Sequence, residues 1–172
     1  MLAGCGGGTP SATAPSKSAV SVAFKGSPPA LAALHAQADK LLHGGPKAFS
    51  ARVRGLRGFP VVINKWASWC TDCQSEASAF QGASLRYGRQ VAFIGIDGKD
   101  SDSSATAFLH HYPNTYPSYV DPHEAIARTL QAAVYYPQTV YIDRRGRQVY
   151  DHAGSYADAA ALEQDIKRYV LR

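Results

Sequence analysis

Residues 58–76 carry the sequence GFPVVINKWASWCTDCQSE, in which a short apolar stretch leads to two cysteines three positions apart. The run over 60–63 is apolar throughout, as expected of a strand buried on both faces. The pattern that follows predicts a helix over 70–87. The pair Cys70 and Cys73 therefore opens a helix directly after a buried strand.

That position gives the cysteine pair a specific chemical use. The N-terminus of a helix carries partial positive charge and free N–H groups, which stabilise a thiolate and lower the pKa of a cysteine placed there. We expect Cys70 to be the exposed thiolate and Cys73, one turn further on, to attack a mixed disulfide formed by Cys70. The spacing predicts disulfide exchange with other proteins. A zinc site is disfavoured, because no second cysteine pair exists and the adjacent His110 and His111 diverge on a helix.

The rest of the chain alternates predicted helices and strands. In chain order these are helices over 29–42 and 47–53, a strand over 91–96, a helix over 102–111, a strand over 119–120, a helix over 122–130, a hairpin of strands over 139–142 and 148–152, and a last helix to Val170 opened by a capping box from Ser155 to Asp158. This order predicts the α/β class, with a mixed β-sheet and helices on both faces.

The composition fits one folded unit with a tail. The chain has 172 residues, of which 45% are hydrophobic and 18% charged, so it has enough apolar surface for a core. The longest apolar run, 132–136, is too short to cross a bilayer. The net charge of +5 is dispersed, with the densest basic clusters at 52–57 and 144–147, so we do not expect a nucleic-acid partner.

The N-terminal stretch has a different composition. Residues 1–19 are rich in Gly, Ser, Thr, Ala and Pro, which predicts a flexible tether. Within it, Leu2 to Cys5 resembles the lipobox of bacterial lipoproteins, which implies that Cys5 is lipidated. A signal peptide needs a charged start and an apolar stretch, and only Met1 precedes Leu2, so we expect that this segment is missing from the sequence. The alternative is an incidental thiol in a disordered tail.

The stretch from Trp66 to Cys73, with Asn64 before it and Glu76 after it, resembles the active site of the TlpA/ResA-like branch of the thioredoxin fold. Proteins of that branch are membrane-tethered, extracytoplasmic thiol-disulfide oxidoreductases. Further similarities follow in order over 58–64, 91–97, 116–121 and 136–143, and at Gly154. The resemblance implies a thioredoxin-like three-layer fold, with the domain over 58–172 and an N-terminal helical extension over 20–57.

The resemblance also assigns roles to residues. Cys70 is then the nucleophile and Cys73 the resolving thiol. Pro137 is expected to be cis and to lie beside the disulfide. The backbone of Tyr136 is expected to pair with a bound partner strand, and Trp69 to offer that partner an apolar surface.

Glu76 follows Cys73 by one helical turn, and in this branch an acid there tunes the thiols or relays a proton. The alternative is a solvated glutamate near a favourable helix end. Asn64 cannot titrate, so an acid–base role falls to Glu76 or to water. For Trp66 we expect core packing, and for 112–119, with its three tyrosines, a packed connection rather than a groove lining.

Four residues depart from the branch's usual pattern. Ser78 stands where the branch often has a proline. Thr71 and Asp72 fill a turn that usually contains proline, and both are expected to face the partner. The charge of Asp72 disfavours a thiolate and favours a more reducing couple, an effect that Lys65 would offset if it reached the site. Tyr136 replaces a small residue, and its ring is expected to narrow the partner groove.

The sequence thus predicts an enzyme that exchanges disulfides with protein cysteines, in the reducing direction, without a metal or organic cofactor. We expect a monomer outside the cytoplasm, supplied by a membrane-bound electron donor and held to the membrane only through Cys5. A thiol-based copper chaperone is the alternative, although such relatives space their cysteines one residue further apart. Peroxide reduction is disfavoured, because peroxiredoxins need the motif Pro-x-x-x-Thr-x-x-Cys. In this chain Ile63 and Ala67 stand at the Pro and Thr positions before Cys70.

Overall fold

The structure is a computed structural model that describes residues 13–172. Its helices are α1 (Lys17–Phe24), α2 (Pro29–His35), α3 (Gly45–Gly55), α4 (Thr71–Tyr87), α5 (Asp102–His111), α6 (Ala125–Thr129) and α7 (Ala159–Tyr169). Its strands are β1 (Leu41–Leu42), β2 (Val61–Trp66), β3 (Ala92–Gly98), β4 (Ser118–Asp121), β5 (Gln138–Ile142) and β6 (Gln148–Ala153).

The strands form one six-stranded mixed sheet in the order β1-β4-β3-β2-β5-β6. The first four strands in that order run parallel, and β5 and β6 are antiparallel to their neighbours. Every residue of β2 is buried, because β2 is central and covered on both faces. Its carboxyl end leads directly into the cysteine pair, so the site lies at the edge of the sheet where the parallel strands end.

Helices cover both faces of the sheet. One face packs against a core that includes Leu31 and Leu34 of α2, Phe49 of α3 and Ile126 of α6. The other face packs against α4 and α7, with α5 beside the cysteines. These layers confirm the predicted three-layer α/β class.

The predicted helix over 29–42 was wrong in its second half. The helix ends at His35, and Leu41 and Leu42 pair with Ser118 and Tyr119 as a parallel edge strand. Asp39, with φ of 58°, turns the chain before that strand. Part of the stretch expected to be a helical extension therefore belongs to the sheet. The pairing of β1 with β4 cannot be read from the local sequence pattern.

Two helix starts also differ from the sequence prediction. Helix α1 begins inside the expected tether, and the Ser16 side chain caps it by accepting from the Ala19 N–H. Helix α7 is capped by Asp158 itself, which accepts from the Ala161 N–H, and not by a box that begins at Ser155.

None of the helices within 13–172 has the length and apolar character needed to span a membrane. Cys5 lies outside the described residues.

Candidate active site

The two cysteines form a disulfide at the N-terminus of α4, with their Cα atoms 5.2 Å apart. Cys70 is the N-cap of that helix, and the Cys73 backbone N–H donates to the Cys70 Sγ at 3.1 Å. The sulfur of Cys70 thus already accepts one of the free N–H groups of the helix end. The same N–H would stabilise a thiolate on Cys70 after reduction.

In the disulfide form Cys70 is buried rather than exposed as expected, although it remains slightly the more exposed of the two cysteines. Cys70 is 5% exposed and Cys73 is 3% exposed. As the N-cap, Cys70 turns its side chain inward to the first turn of the helix, where both cysteines join a buried cluster with Ala67. The neighbouring Trp69 is 54% exposed and takes the surface position instead.

The peptide bond between Tyr136 and Pro137 is cis, as the resemblance implied. Tyr136 packs against the cluster that contains the cysteines, and its ring centroid lies 4.8 Å from that of Trp69. The ring is only half-exposed, because its hydroxyl donates to Glu124 at 2.8 Å. The Tyr136 side chain, which was expected to narrow the groove, is therefore held towards Glu124 by this hydrogen bond.

Glu76 is a buried carboxylate rather than a solvated one, with 2% of its surface exposed. Its Oε1 accepts from the Asn64 Nδ2 at 3.0 Å and its Oε2 from the Tyr156 N–H at 3.2 Å. Burial raises the pKa of Glu76 to about 7, although these two hydrogen bonds act in the opposite sense. The charge of Asp72 adds to the rise. Glu76 can therefore gain and lose a proton near neutral pH.

Asn64 connects this carboxyl group to the cysteines. Its side chain lines a small cavity of about 10 Å³ together with Cys73, Asn114 and Tyr116. That size is near the minimum for one ordered water. The Oδ1 of Asn64 has no hydrogen-bond partner within the described part of the chain, so it can accept from a water in the cavity.

Lys65 does not approach Asp72, and the expectation that it would offset that charge was wrong. Its side chain is completely buried, with the ammonium 2.9 Å from the Glu124 Oε1. The Nζ also donates to the carbonyls of Ala132 and Tyr135. A lysine in a fully buried strand requires a buried partner. That was the sequence signal for Glu124, and it was missed because the partner lies 59 residues away.

The other residues singled out from the sequence divide between surface and core. Thr71 and Asp72 are exposed on the first turn of α4. Trp66 packs in the core, where its ring stacks on Phe108 at 4.4 Å and its Nε1 donates to Ser118. The three tyrosines of the 112–119 stretch are buried, which agrees with a packed connection.

Asp97, at the end of β3, is a second buried acid that sequence reasoning did not single out. Its surface is fully covered, and in the ionised form neither oxygen has a donor among residues 13–172. Burial, together with the nearby Asp100, raises the pKa of Asp97 to about 8. The protonated, neutral form of Asp97 is therefore favoured at pH 7.

Comparison with known proteins places this chain in a family. The model of the AhpC/TSA family matches residues 40–150. The chain belongs to the AhpC/TSA family. The match begins at residue 40, just before β1, which agrees with that strand being part of the sheet.

Curated relatives of this family member include thiol:disulfide interchange proteins and a thioredoxin-like protein. DsbE of Pasteurella multocida is 35% identical over 57% of this chain and 52% of its own length. DsbE of Escherichia coli K12 is 30% identical over 64% of this chain and 58% of its own length. The thioredoxin-like protein YneN of Bacillus subtilis is 26% identical over 55% and 56%. The chain thus spans somewhat over half the length of these relatives.

Solved structures share the fold. A secreted Mycobacterium tuberculosis disulfide oxidoreductase homologous to DsbE matches with a TM-score of 0.59 and 19% identity, over 67% of this chain and 85% of that one. The exposed lipoprotein thioredoxin Etrx1 of Streptococcus pneumoniae matches with a TM-score of 0.59 and 20% identity, over 67% and 89%. These neighbours confirm the predicted thioredoxin-like fold, and the relatives confirm the predicted affinity to the ResA-like branch.

Proposed function

We propose that this protein is a thiol-disulfide oxidoreductase that exchanges disulfides with protein cysteines. The observation that carries the proposal is the disulfide between Cys70 and Cys73 at the N-terminus of α4, in a buried cluster against which Tyr136 packs. The names of the curated relatives support the same activity. No group of three or more metal-ligating side chains occurs within 13–172.

In the reducing direction, the chain starts as a dithiol. The Cys70 thiolate attacks one sulfur of a partner disulfide, which forms a mixed disulfide and releases the other partner sulfur as a thiolate. Cys73 then loses its proton and attacks the Cys70 Sγ, which releases the second partner thiol and forms the Cys70–Cys73 disulfide. Two electrons pass to the partner, and a thiol-based donor must return them before the next cycle.

Glu76 is the group suited to take the proton from Cys73. It is buried one turn further along α4 and has a pKa near 7. Asn64 joins it to the cavity beside Cys73, where one water would complete the path. Trp69 and the Tyr136–Pro137 backbone would contact the partner, and the exposed Thr71 and Asp72 would face it from the first turn of α4.

The setting of the reaction is part of the same proposal. The resemblance to the tethered branch and the Leu2–Cys5 motif support an extracytoplasmic monomer anchored by a lipid on Cys5. The stretch ahead of α1 would then serve as the tether, and the catalytic domain would include β1 as well as residues 58–172. A membrane-bound dithiol protein would supply the electrons, and the reducing direction follows from the charge of Asp72 beside the helix end.

Trapping tests the proposal directly. Cys73→Ser leaves Cys70 able to form a mixed disulfide that nothing resolves, so mass spectrometry should find the chain linked to a disulfide-containing protein. Cys70→Ser is the matched control and should trap far less. Equal trapping by both variants, or by neither, would contradict the assigned roles.

Equilibration with defined thiol/disulfide buffers tests the direction. A reductase should lie near or below roughly −270 mV, the value of thioredoxin, whereas a strong oxidant lies near roughly −120 mV. Asp72→Asn should shift the equilibrium towards the dithiol. An unchanged equilibrium in that variant would remove Asp72 from the explanation.

A further inference from the structure

The carboxylate of Glu124 joins three segments that surround the disulfide. Its Oε1 accepts from the Lys65 Nζ at 2.9 Å and from the Tyr136 hydroxyl at 2.8 Å. Its Oε2 pairs with the Lys99 Nζ at 2.9 Å. Lys65 belongs to β2, Lys99 follows β3, and Tyr136 precedes the cis-proline, so one buried carboxylate links all three segments.

The charges at this junction are fully paired. The Lys65 ammonium meets Glu124 and two backbone carbonyls, and it lies 3.7 Å from the centroid of the Tyr136 ring. Burial alone would raise the pKa of Glu124, but the hydrogen bonds from Lys65, Lys99 and Tyr136 lower it to about 2. Glu124 also has a φ of 55°, a strained conformation for a residue with a side chain. Such strain persists only where the surroundings hold the residue firmly.

The junction extends to the surface beside Cys70. The Lys99 carbonyl accepts from the Trp69 Nε1 at 3.1 Å, and the Trp69 ring lies against the Tyr136 ring. A Cβ at Gly98 would collide with the Tyr136 hydroxyl. Close packing on one side and the Glu124 hydrogen bond on the other therefore leave Tyr136 one position. We call the Trp69 and Tyr136 rings the aromatic platform.

We propose that Glu124 is a positioning residue that holds the aromatic platform in the orientation that binds a partner protein. The inference rests on the proposed function and adds a partner preference to it. The occupant is an extended segment of a disulfide-containing protein with an apolar side chain next to its cysteine. The exposed Val134 and Tyr135 continue the apolar surface along the same loop.

The test uses two disulfide-bonded octapeptides that differ at one position next to a cysteine, with phenylalanine in one and serine in the other. Glu124→Gln removes the charge that Tyr136 and both lysines contact. The double variant Lys65→Met and Glu124→Gln removes both buried charges, so it keeps the fold even where an unpaired Lys65 would unfold the single variant. Glu163→Gln is the matched control.

Glu163 suits that purpose because, like Glu124, it contacts two cationic side chains and a tyrosine hydroxyl, but in another part of the molecule. Its carboxylate pairs with Arg86 and Lys167 and accepts from the Tyr87 hydroxyl at 2.9 Å. It lies between α4 and α7, away from the aromatic platform. General effects of removing a paired carboxylate should therefore show in both Glu163→Gln and Glu124→Gln.

For the wild type we expect a KM about tenfold lower for the phenylalanine peptide than for the serine peptide, the effect of about one well-placed contact. In both Glu124 variants this ratio should fall to within twofold, while kcat and the equilibrium constant with glutathione change less than twofold. Acrylamide should quench Trp69 fluorescence more strongly in these variants, since the other tryptophan, Trp66, is buried. Glu163→Gln should match the wild type in KM, kcat, the glutathione equilibrium constant and acrylamide quenching.

Three results would overturn the inference. The first is a wild type without preference between the peptides, and the second is a folded double variant that keeps the preference. The third is a glutathione equilibrium constant that shifts as much as KM, because Glu124 would then act on the dithiol. A wild type that reduces neither peptide would overturn the proposed function instead. In that case, acrylamide quenching that is the same in the Glu124 variants as in the wild type would overturn the positioning role as well.

Discussion

Glu76→Gln is the substitution whose effect the structure defines most sharply. The introduced amide can keep both contacts, because its oxygen can accept from the Tyr156 N–H while its NH2 group faces Asn64. The Asn64 side-chain amide can flip to present its Oδ1, which has no partner among residues 13–172. The variant therefore removes the ionisable group with little change in packing.

The size of the effect follows from the pKa. Glu76 rises from an ordinary value of 4.5 to about 7 on folding because it is buried. Between these values the folded protein keeps a proton that the unfolded chain has released, so folding stability falls as pH rises. The loss amounts to about 3 kcal/mol and is complete above the folded pKa. The variant does not undergo this loss.

The assay is urea unfolding of the disulfide form at pH values from 4.5 to 7.5, followed by tryptophan fluorescence. Keeping the disulfide intact removes cysteine ionisation from the comparison. The stability of Glu76→Gln minus that of the wild type should increase by about 3 kcal/mol across this range. Effects of other acids cancel in that difference.

Glu163→Gln gives the opposite sign as a control. Burial acts in the opposite sense, but the Tyr87 hydroxyl and the cations Arg86 and Lys167 lower the pKa of Glu163. Its charged form therefore stabilises the fold above the ordinary pKa, and the variant should lose stability relative to wild type as pH rises. A difference for Glu76→Gln that stays flat within about 1 kcal/mol would refute the buried, proton-holding carboxyl.

Three further substitutions test the fold and its second buried acid. Asp97→Asn should stabilise the protein increasingly as pH rises to about 8, since the folded pKa of Asp97 is raised to about that value; a pH-independent effect in urea unfolding would contradict this. Leu162→Ala, at a fully buried position of α7, should cost about 2–5 kcal/mol in the same assay, and a cost below 1 kcal/mol would mean that α7 packs loosely. Asp158→Ala should lower stability by about 1 kcal/mol because it removes the N-cap of α7; Asp158→Asn, which still caps, should not.

The elements predicted best from the sequence have strong local patterns. The strand before Cys70, the helix after it and the hairpin over β5 and β6 each combine an apolar pattern with turn or capping residues. The strand Leu41–Leu42 was predicted as helix because Leu41 continues the helical spacing of Leu31, Leu34 and Ala38. Its pairing with β4 depends on residues more than 75 positions further along the chain, and no local pattern carries that information.

The sequence by itself determined the fold class, the cysteine pair and its place at a helix N-terminus, because each depends on neighbours within a few residues. The tertiary structure decided that Glu76 is buried with a pKa near 7 and that Lys65 pairs with Glu124 rather than reaching Asp72. It also decided that the Tyr136 ring is tied down beside Trp69. The physical reason is that burial and ion pairing depend on which distant segments pack together, and those contacts fix the charge state and orientation of side chains that the local sequence leaves free.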